Sequence, residues 1–308
     1  HAVHTAWPEE NRPPQDITRS DDHIWLVYLA HAIAAETGDL RFLDREIPFL
    51  GTDLMTPASP ATLWAHLLRC VDFTEKHLGE HGLPLILFSD WNDHLGPFGR
   101  KGKGESVMVS QQHILALRQL SELAEMRGES AEPFHNLIEK QEKALEKYVW
   151  DGEWFLRGLD DEAQPIGTHS QEHARIWLNA QSWMVIANAC KNHQMEAMDS
   201  AARELDTGMG LLLNAPGYPG WPSKDAAMVN GLPAGYSENG GVFCQANCWA
   251  IIAEALLGRG DRAWKYYKQL MPDTVIRKVG LERYHAESYA YCSTLLGKDN
   301  EKFGRSEE

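Results

Sequence analysis

The chain lacks the features that mark membrane proteins and nucleic-acid-binding proteins. None of its apolar runs is long enough to cross a bilayer, and its first four residues, His-Ala-Val-His, do not begin a secretory signal peptide. Basic residues are in the minority, 29 against 44 acidic ones, which gives a formal net charge of −15. Because such a charge repels polyanions, we expect no nucleic-acid partner and no membrane partner.

Cysteine is also scarce, and this excludes a disulfide framework. The five cysteines are scattered through helical patterns, which predicts free thiols in a reducing compartment and hence a cytoplasmic location. Cys244 and Cys248 are four residues apart, but no second pair has the matching spacing of a zinc site. His169 and His173 lie close to Glu172 without the His-Glu-x-x-His order of a metalloprotease. Serine-nucleophile and nucleotide-binding motifs are absent as well, so we predict no metal and no organic cofactor.

Strand signals are few and short, so helices dominate the predicted structure. Capping signals and apolar spacing predict a first helix that starts at Ser20-Asp21-Asp22 and stops at Thr37-Gly38-Asp39, and further helices over residues 40–47, 60–79, 106–126, 133–148, 176–190, 195–205, 242–257, 261–270 and 286–296. Ser59, followed by Pro60, is the predicted N-cap of the third helix. A polar arm over 1–20, a short hairpin over 150–159 and an irregular segment over 208–241, which contains Trp221, complete the chain. Such helices form an all-α bundle, solenoid or toroid, and the lack of a strict repeat disfavours the solenoid.

The stretch Ser89-Asp90-Trp91-Asn92-Asp93-His94 is the strongest candidate for a functional site. It places two carboxylates around an indole, directly after the apolar run 83–88. The glycine-rich segment 96–105 follows, and its Arg100 and two lysines supply enough charge for one phosphate. This combination suits a sugar, whose apolar face stacks on an aromatic ring while its hydroxyls need polar partners. The alternative is a surface turn, with Trp91 as a core anchor and the aspartates as caps.

A second candidate is the stretch Glu238-Asn239-Gly240-Gly241, at the start of the predicted helix 242–257. Paired glycines at a helix start let backbone N–H groups approach an anion, and the helix dipole supports the binding. Glu238 would face the same ligand. The alternative is a capping segment in which the glycines only satisfy turn geometry. Gln245 and Asn247 lie on an otherwise apolar helix, so their amides are either satisfied in the core or directed at a ligand.

Taken together, several stretches resemble the family 94 inverting glycoside phosphorylases, which include cellobiose, cellobionic acid and chitobiose phosphorylases. Six or more ordered motifs across nearly the whole chain make the match far more specific than any one of them. The matching stretches are RSDDHIWL at 19–26, DWND at 90–93, GKGES at 102–106, WDGEW at 150–154, LNAQSW at 178–183, ENGGVF at 238–243, AEALLG at 253–258, GDRAW at 260–264 and FGR at 303–305.

The resemblance implies an (α/α)6 barrel that occupies residues 1–308 as one catalytic domain. It also implies that the barrel is incomplete, because the family's N-terminal β-sandwich and a C-terminal segment with a phosphate contact would lie outside this chain. The implied reaction is reversible phosphorolysis of a β-glucosidic disaccharide with inversion, which gives α-glucose 1-phosphate. The implied partners are a small sugar and inorganic phosphate as co-substrate, and the implied assembly is a homodimer.

On this resemblance Asp93, the last residue of the Asp-Trp-Asn-Asp motif, is the general acid. One acid is sufficient, since phosphate is already an anionic nucleophile and needs no base. The family commonly has histidine at the position of Gln245, so the uncharged glutamine weakens or rearranges phosphate binding. Arg100 is the other predicted phosphate ligand. The residues predicted to bind the sugar are Arg19, Asp22, Asp90, Trp91, Asn92, Tyr236 and Glu238.

Two alternatives to phosphorolysis stay open. One is an inverting hydrolase on the same scaffold, in which Asp93 is the acid and Glu238 activates water; the substitution at Gln245 motivates it. The other is a piece without catalytic activity that binds sugar or only folds, which the missing flanking segments motivate. Phosphate-dependent release of a sugar 1-phosphate would distinguish phosphorolysis from both.

Overall fold

The structure, a computed structural model, describes residues 17–219 and 231–307, together with Ala2 and Pro14. Most of the predicted N-terminal arm and the central part of the predicted irregular segment, including Trp221, lie outside these residues. The chain divides into two compact units, residues 1–144 and 145–308. Helices dominate the described parts of both units, which confirms the predicted all-α class. Within these ranges no helix is long and apolar enough to span a membrane.

The first unit is built on three helices that pack against one another. Its elements are α1 (Ile24–Thr37), β1 (Glu46–Leu50), β2 (Pro57–Thr62), α2 (Leu63–Lys76), β3 (Glu105–Ser106), α3 (Val107–Met126) and most of α4 (Glu132–Tyr148). Helix α1 ends where the left-handed backbone of Gly38, with φ of 65°, lets its N–H bond to the carbonyl of Ala34 at 2.9 Å. Helix α3 begins after Ser106, whose Oγ accepts the N–H of Val109 at 3.1 Å. The predicted end of α1 and the predicted range of α3 are therefore confirmed, whereas α1 begins at Ile24, later than the predicted start at Ser20-Asp21-Asp22, where the chain forms a bend and a turn.

The second unit combines packed helices with short antiparallel strand pairs. Its elements are β4 (Gly158–Leu159), β5 (Pro165–Ile166), β6 (Ile176–Trp177), α5 (Leu178–Ile186), α6 (Gln194–Leu205), β7 (Asn214–Ala215), β8 (Val242–Phe243), α7 (Cys244–Leu256), α8 (Gly260–Leu270), α9 (Pro272–Val279), α10 (Leu281–Tyr284) and β9 (Thr294–Leu295). Helix α5 packs on α6 and α7, and α7 packs on α8. The antiparallel pairs are β4 with β5, β6 with β7 and β8 with β9. The predicted hairpin over 150–159 is present as a turn in which Trp150 pairs with Phe155.

The predicted helix start at Ser59 is wrong, because residues 57–62 form strand β2. Helix α2 begins at Leu63 instead. Its N-cap is Thr62, whose side chain accepts the N–H of Ala65 at 3.2 Å. The predicted helix over 40–47 is also shorter than expected, since a 3-10 helix over Arg41–Asp44 leads directly into β1.

The turn between β1 and β2 explains both differences. The N–H of Gly51 bonds to the carbonyl of Thr56 at 2.7 Å. The carboxylate of Asp53 accepts the N–H groups of Met55 and Thr56 at 3.0 and 2.8 Å. This turn folds β2 back along β1 in antiparallel pairing. A strand pair that forms through a turn therefore outweighs the local capping signal of a Ser-Pro dipeptide.

The predicted helix over 286–296 is also wrong, because its end forms β9. The carbonyl of Ser293 accepts the N–H of Cys244 at 3.0 Å, so this segment pairs with the chain that leads into α7. Helical structure lies earlier, in α10 and in α9, where Pro272 occupies the first helical position. The helices predicted from residues 176 and 242 begin two residues later than expected, since β6 and β8 occupy those positions.

Candidate functional site

The acid-bearing stretch of the first unit is held in place by an early segment of the chain. The N–H of Phe88 bonds to the carbonyl of Thr18 at 3.2 Å, and the N–H of Ser20 bonds to the carbonyl of Ser89 at 3.0 Å. Between them, Arg19 forms an antiparallel bridge with Leu87. This short pairing brings Arg19 next to a motif that lies some seventy positions later in the sequence.

Arg19 contacts the predicted general acid directly. Its guanidinium donates to Oγ of Ser89 at 2.7 Å and forms an ion pair with the carboxylate of Asp93. The Arg19 side chain is only 10% exposed, whereas that of Asp93 is 58% exposed. Asp93 also begins a 3-10 helix that ends at Gly99. The carboxylate is therefore oriented by a buried cation and remains accessible to a ligand.

The other carboxylate of the motif has a different environment. Asp90 is fully buried, and its Oδ1 accepts the N–H of Asn92 at 2.9 Å. Its Oδ2 accepts the hydroxyl of Ser106 at 2.6 Å. Asn92 is buried as well, and Trp91 is half-buried. Asp90 thus orients the turn and links it to Ser106, the N-cap of α3. The sequence did not reveal this contact. Its one signal was the position of Ser106 before an apolar run, where a helix cap is expected.

Asp21 is a buried carboxyl group to which the sequence interpretation assigned no role. It is 2% exposed, and its Oδ2 accepts the indole N–H of Trp25 at 3.0 Å. Burial and the nearby Asp90 carboxylate raise the pKa of Asp21 to about 7. Asp22, predicted to bind sugar, is half-buried in the turn before α1. The structure therefore places a second carboxyl group, with a pKa near neutral, close to Asp90 of the acid-bearing turn.

The cationic loop that follows the motif is exposed. Arg100 comes directly after the 3-10 helix, and it and the two lysines of this loop face solvent. Gly104 closes the loop, and its carbonyl accepts the N–H of Ile86 at 2.8 Å. A Cβ at position 104 would lie 2.5 Å from the carbonyl oxygen of Phe98. Only glycine therefore fits where the end of the loop packs against the backbone of Phe98.

In the second unit, the stretch around Glu238 forms a tight turn. Glu238 is 5% exposed, and its carbonyl accepts the side-chain amide of Asn214 at 2.6 Å. The side chain of Asn239 accepts the N–H of Tyr218 at 2.7 Å and donates to its carbonyl at 2.8 Å. Tyr236 is half-buried and lines a cavity of about 600 Å³. The contact with Glu307 raises the pKa of Tyr236.

Glycine in this turn is required by close backbone packing. A Cβ on Gly241 would lie 2.5 Å from the carbonyl oxygen of Ser237. Gly240 has φ of 85°, and a Cβ on Gly297, in the segment that packs against this turn, would lie 1.8 Å from the carbonyl oxygen of Gly240. These distances support the interpretation in which the glycines satisfy turn geometry, while anion binding by the same residues stays a prediction.

The two amides predicted on helix α7 have different surroundings. Asn247 is buried, and its side chain accepts the N–H of Leu211 at 2.7 Å and donates to its carbonyl at 2.9 Å. It is therefore satisfied inside the protein. Gln245 is exposed in the first turn of α7, where backbone N–H groups and the helix dipole favour an anion. Of the two residues, only Gln245 is accessible to a ligand.

Comparison with known proteins identifies a family and several phosphorylases among the relatives. The family model that describes the catalytic domain of the glycosyl hydrolase 94 superfamily matches residues 3–308. Similar curated proteins include N,N'-diacetylchitobiose phosphorylase of Vibrio furnissii, 35% identical over 94% of this chain, and cellobionic acid phosphorylase of Neurospora crassa, 27% identical over 93%. A 3-O-beta-D-glucopyranosyl-beta-D-glucuronide phosphorylase of Paenibacillus borealis is 31% identical over 85% of this chain. The chain spans about a third of the length of these relatives, 35%, 37% and 34% respectively.

The solved structures include a fold relative with little sequence similarity. A GH78 family rhamnosidase of Bacillus sp. GL1 matches with a TM-score of 0.58 at 12% identity, over 94% of this chain and 24% of the rhamnosidase. This match bears on the fold alone. Together with the family model, it confirms the predicted fold class, since the catalytic domain of the superfamily is an (α/α)6 barrel.

Proposed function

We propose, since the chain belongs to the glycosyl hydrolase 94 superfamily, that it carries the catalytic acid of an inverting glycoside phosphorylase. The reaction is the cleavage of a β-glucosidic disaccharide by inorganic phosphate, which releases α-glucose 1-phosphate. The relatives named above are phosphorylases of different disaccharides, which supports the reaction type more strongly than any one substrate. The observation that carries the proposal is Asp93, an accessible carboxylate held against the buried guanidinium of Arg19.

In this mechanism Asp93 acts in its protonated form and donates that proton to the glycosidic oxygen while the bond between that oxygen and the anomeric carbon breaks. Phosphate attacks the anomeric carbon from the opposite face, so the configuration inverts and the leaving sugar departs as a neutral alcohol. Phosphate is already an anionic nucleophile, and the protein therefore needs one acid and no base. Arg19 fixes the direction of the Asp93 carboxyl group, and the buried Asp90 holds the turn on which Asp93 stands.

We assign phosphate binding to Gln245 and Arg100. Gln245 can donate hydrogen bonds from its side-chain amide, and its place in the first turn of α7 adds backbone N–H groups and the helix dipole. Arg100 is an exposed cation on the loop after the acid-bearing turn. Because glutamine carries no charge, we expect phosphate affinity to depend more strongly on the arginine than on the glutamine.

We assign sugar binding to the polar and aromatic residues around the two carboxylate-bearing turns. The half-buried Trp91 offers an apolar face to a sugar ring, and Tyr236 borders a cavity in its own unit. A cytoplasmic location, expected from the cysteine usage, and a homodimer, expected from the family resemblance, belong to the same proposal. The proposed sugar ligands are Arg19, Asp22, Trp91, Tyr236 and Glu238; Asp90 and Asn92, which are fully buried, belong to the proposed sugar site through the turn that they hold.

Phosphate dependence tests the proposal. The purified protein is incubated with cellobiose, cellobionic acid or N,N'-diacetylchitobiose, with and without phosphate, and sugar 1-phosphate is measured. We expect product only with phosphate, and we expect Asp93→Asn to lower the rate by about 10²- to 10⁴-fold because the proton donor is lost. Asp39→Asn, a change of the same kind on a surface carboxylate paired with Arg41, is the control and should leave the rate unchanged.

Two results would contradict the proposal. Equal sugar release with and without phosphate would indicate hydrolysis instead. An Asp93→Asn variant as active as the parent protein would remove Asp93 from the role of acid.

A further inference from the structure

An aromatic side chain that the sequence interpretation passed over stands beside the proposed acid. Phe88 immediately precedes the acid-bearing stretch and is 54% exposed, which is unusual for so large an apolar residue at the end of a buried run. The guanidinium carbon of Arg19 lies 5.6 Å from the centre of its ring. Because the same guanidinium pairs with Asp93, one buried cation positions both the exposed ring and the exposed carboxylate.

The backbone around Phe88 is fixed on three sides. Its N–H bonds to the carbonyl of Thr18 at 3.2 Å. Gly96 packs so closely on the Phe88 carbonyl that a Cβ there would lie 2.7 Å from the oxygen. The preceding Leu87 adopts a left-handed conformation with φ of 56°, which is unfavourable for a leucine and persists only where the surroundings impose it.

This strain has a consequence for the ring. A chain that continued in extended conformation would alternate its side chains between the two faces, whereas the left-handed residue redirects the chain just before Phe88. The ring is thus held in solvent by a rigid backbone and by a cation–π contact with Arg19. An exposed apolar ring with little freedom to move is suited to stacking against the apolar face of a sugar.

We propose that Phe88 is the platform on which the leaving sugar of the disaccharide stacks. This inference rests on the proposed phosphorolysis with Asp93 as acid. The proton of Asp93 goes to the oxygen that departs with the leaving sugar, so that sugar lies on the side of the bond that faces Asp93. Phe88 and Asp93 contact the same guanidinium, that of Arg19, so Phe88 lies beside the leaving sugar. In the synthetic direction this sugar is the acceptor.

The synthetic reaction separates the two sugars. α-Glucose 1-phosphate is the donor, and glucose, gluconate and N-acetylglucosamine are offered as acceptors. For Phe88→Ala we expect KM for the acceptor to rise about tenfold, in keeping with the loss of one aromatic stacking contact. KM for α-glucose 1-phosphate and kcat at saturating acceptor should change little. Phe88→Tyr, which keeps the ring, should restore acceptor KM, and Tyr289→Ala, which removes another highly exposed ring, is the control.

The outcomes distinguish this inference from the proposed function. If Phe88→Ala leaves KM for the acceptor unchanged, or raises KM for the donor instead, the role of Phe88 as the stacking platform is refuted. The proposed phosphorolysis is not affected by that result. If the parent protein forms no sugar phosphate, cellobiose binding measured by calorimetry decides the matter. If Phe88→Ala then binds cellobiose about tenfold more weakly than the parent protein, stacking on Phe88 is supported and phosphorolysis is refuted. If the parent protein binds no cellobiose, stacking on Phe88 and phosphorolysis are both refuted.

Discussion

Replacing Asp21 by asparagine should make the stability of the protein less dependent on pH. Asp21 is 2% exposed and faces the carboxylates of Asp90 and Asp22, the indole N–H of Trp25 and the side chain of Gln112. Burial is the largest cause that raises its pKa from 3.8 to about 7, and Asp90 is the next. Asparagine has the same shape, cannot ionise, and keeps an oxygen that accepts the Trp25 N–H.

The sign and size of the effect follow from the two pKa values. The folded protein holds the Asp21 proton more tightly than the unfolded chain does. This contribution to stability is therefore complete below pH 3.8 and is lost as the pH rises to about 7. Over the whole interval the loss is about 4 kcal/mol, and between pH 5 and pH 8 it is about 3 kcal/mol, at 1.36 kcal/mol for each pKa unit. Asp21→Asn should thus gain about 3 kcal/mol of stability relative to the parent protein on going from pH 5 to pH 8.

Urea unfolding followed by tryptophan fluorescence at pH 5 and pH 8 measures this difference. The control is Asp39→Asn, because the hydrogen bond from Arg41 lowers the pKa of Asp39 to about 2. The stability that Asp39 contributes is present above pH 3.8 and is lost only as the pH falls towards 2, so it stays constant between pH 5 and pH 8. The prediction is refuted if the unfolding free energy of Asp21→Asn, relative to that of the parent protein, has the same signed value at both pH values, or if the variant loses relative stability on going from pH 5 to pH 8.

Two further predictions test the corrected helix start and the glycine packing. Thr62→Ala should lower the unfolding free energy by about 1 kcal/mol because it removes the N-cap of α2, whereas Ser59→Ala should leave it unchanged; equal urea midpoints would contradict the assignment of the cap. Gly297→Ala should destabilise the protein by at least about 1–3 kcal/mol, since its Cβ would overlap the carbonyl oxygen of Gly240. Gly260→Ala adds the same methyl group where nothing lies within 4 Å, and thermal unfolding that shifts equally in both glycine variants would contradict the close packing.

The acid-bearing turn shows how far the sequence alone carries the interpretation. Its composition predicted a polar ligand, and the family resemblance distinguished Asp93 from Asp90. Their different environments depend on Arg19, 74 residues away from Asp93, and on Ser106, 16 residues away from Asp90. Contacts over such separations leave no periodic signal in a sequence, because periodicity reports only which face of a helix or strand is buried.

The errors in secondary structure have a related cause. The apolar residues of 286–296 have helical spacing, yet the chain at Thr294 pairs with the start of α7, and only the folded structure reveals that partner. At Ser59 the capping signal is genuine chemistry, but the turn that begins at Gly51 places the residue in a strand. Helix ends with strong stop signals, such as the one at Gly38, were predicted correctly because their determinants lie within a few residues.

The pairing of Arg19 with Ser89 has a consequence for how the molecule folds. The contact spans 70 positions along the chain, so forming it requires closure of a long loop, at an entropic cost that local helix formation does not incur. Helices α1 and α2 both lie inside that loop and are stabilised by bonds between near neighbours. Interactions between distant segments are generally the slow part of folding. We therefore expect the contact between Arg19 and Ser89, and with it the orientation of Asp93, to form later than the local turns of α1 and α2.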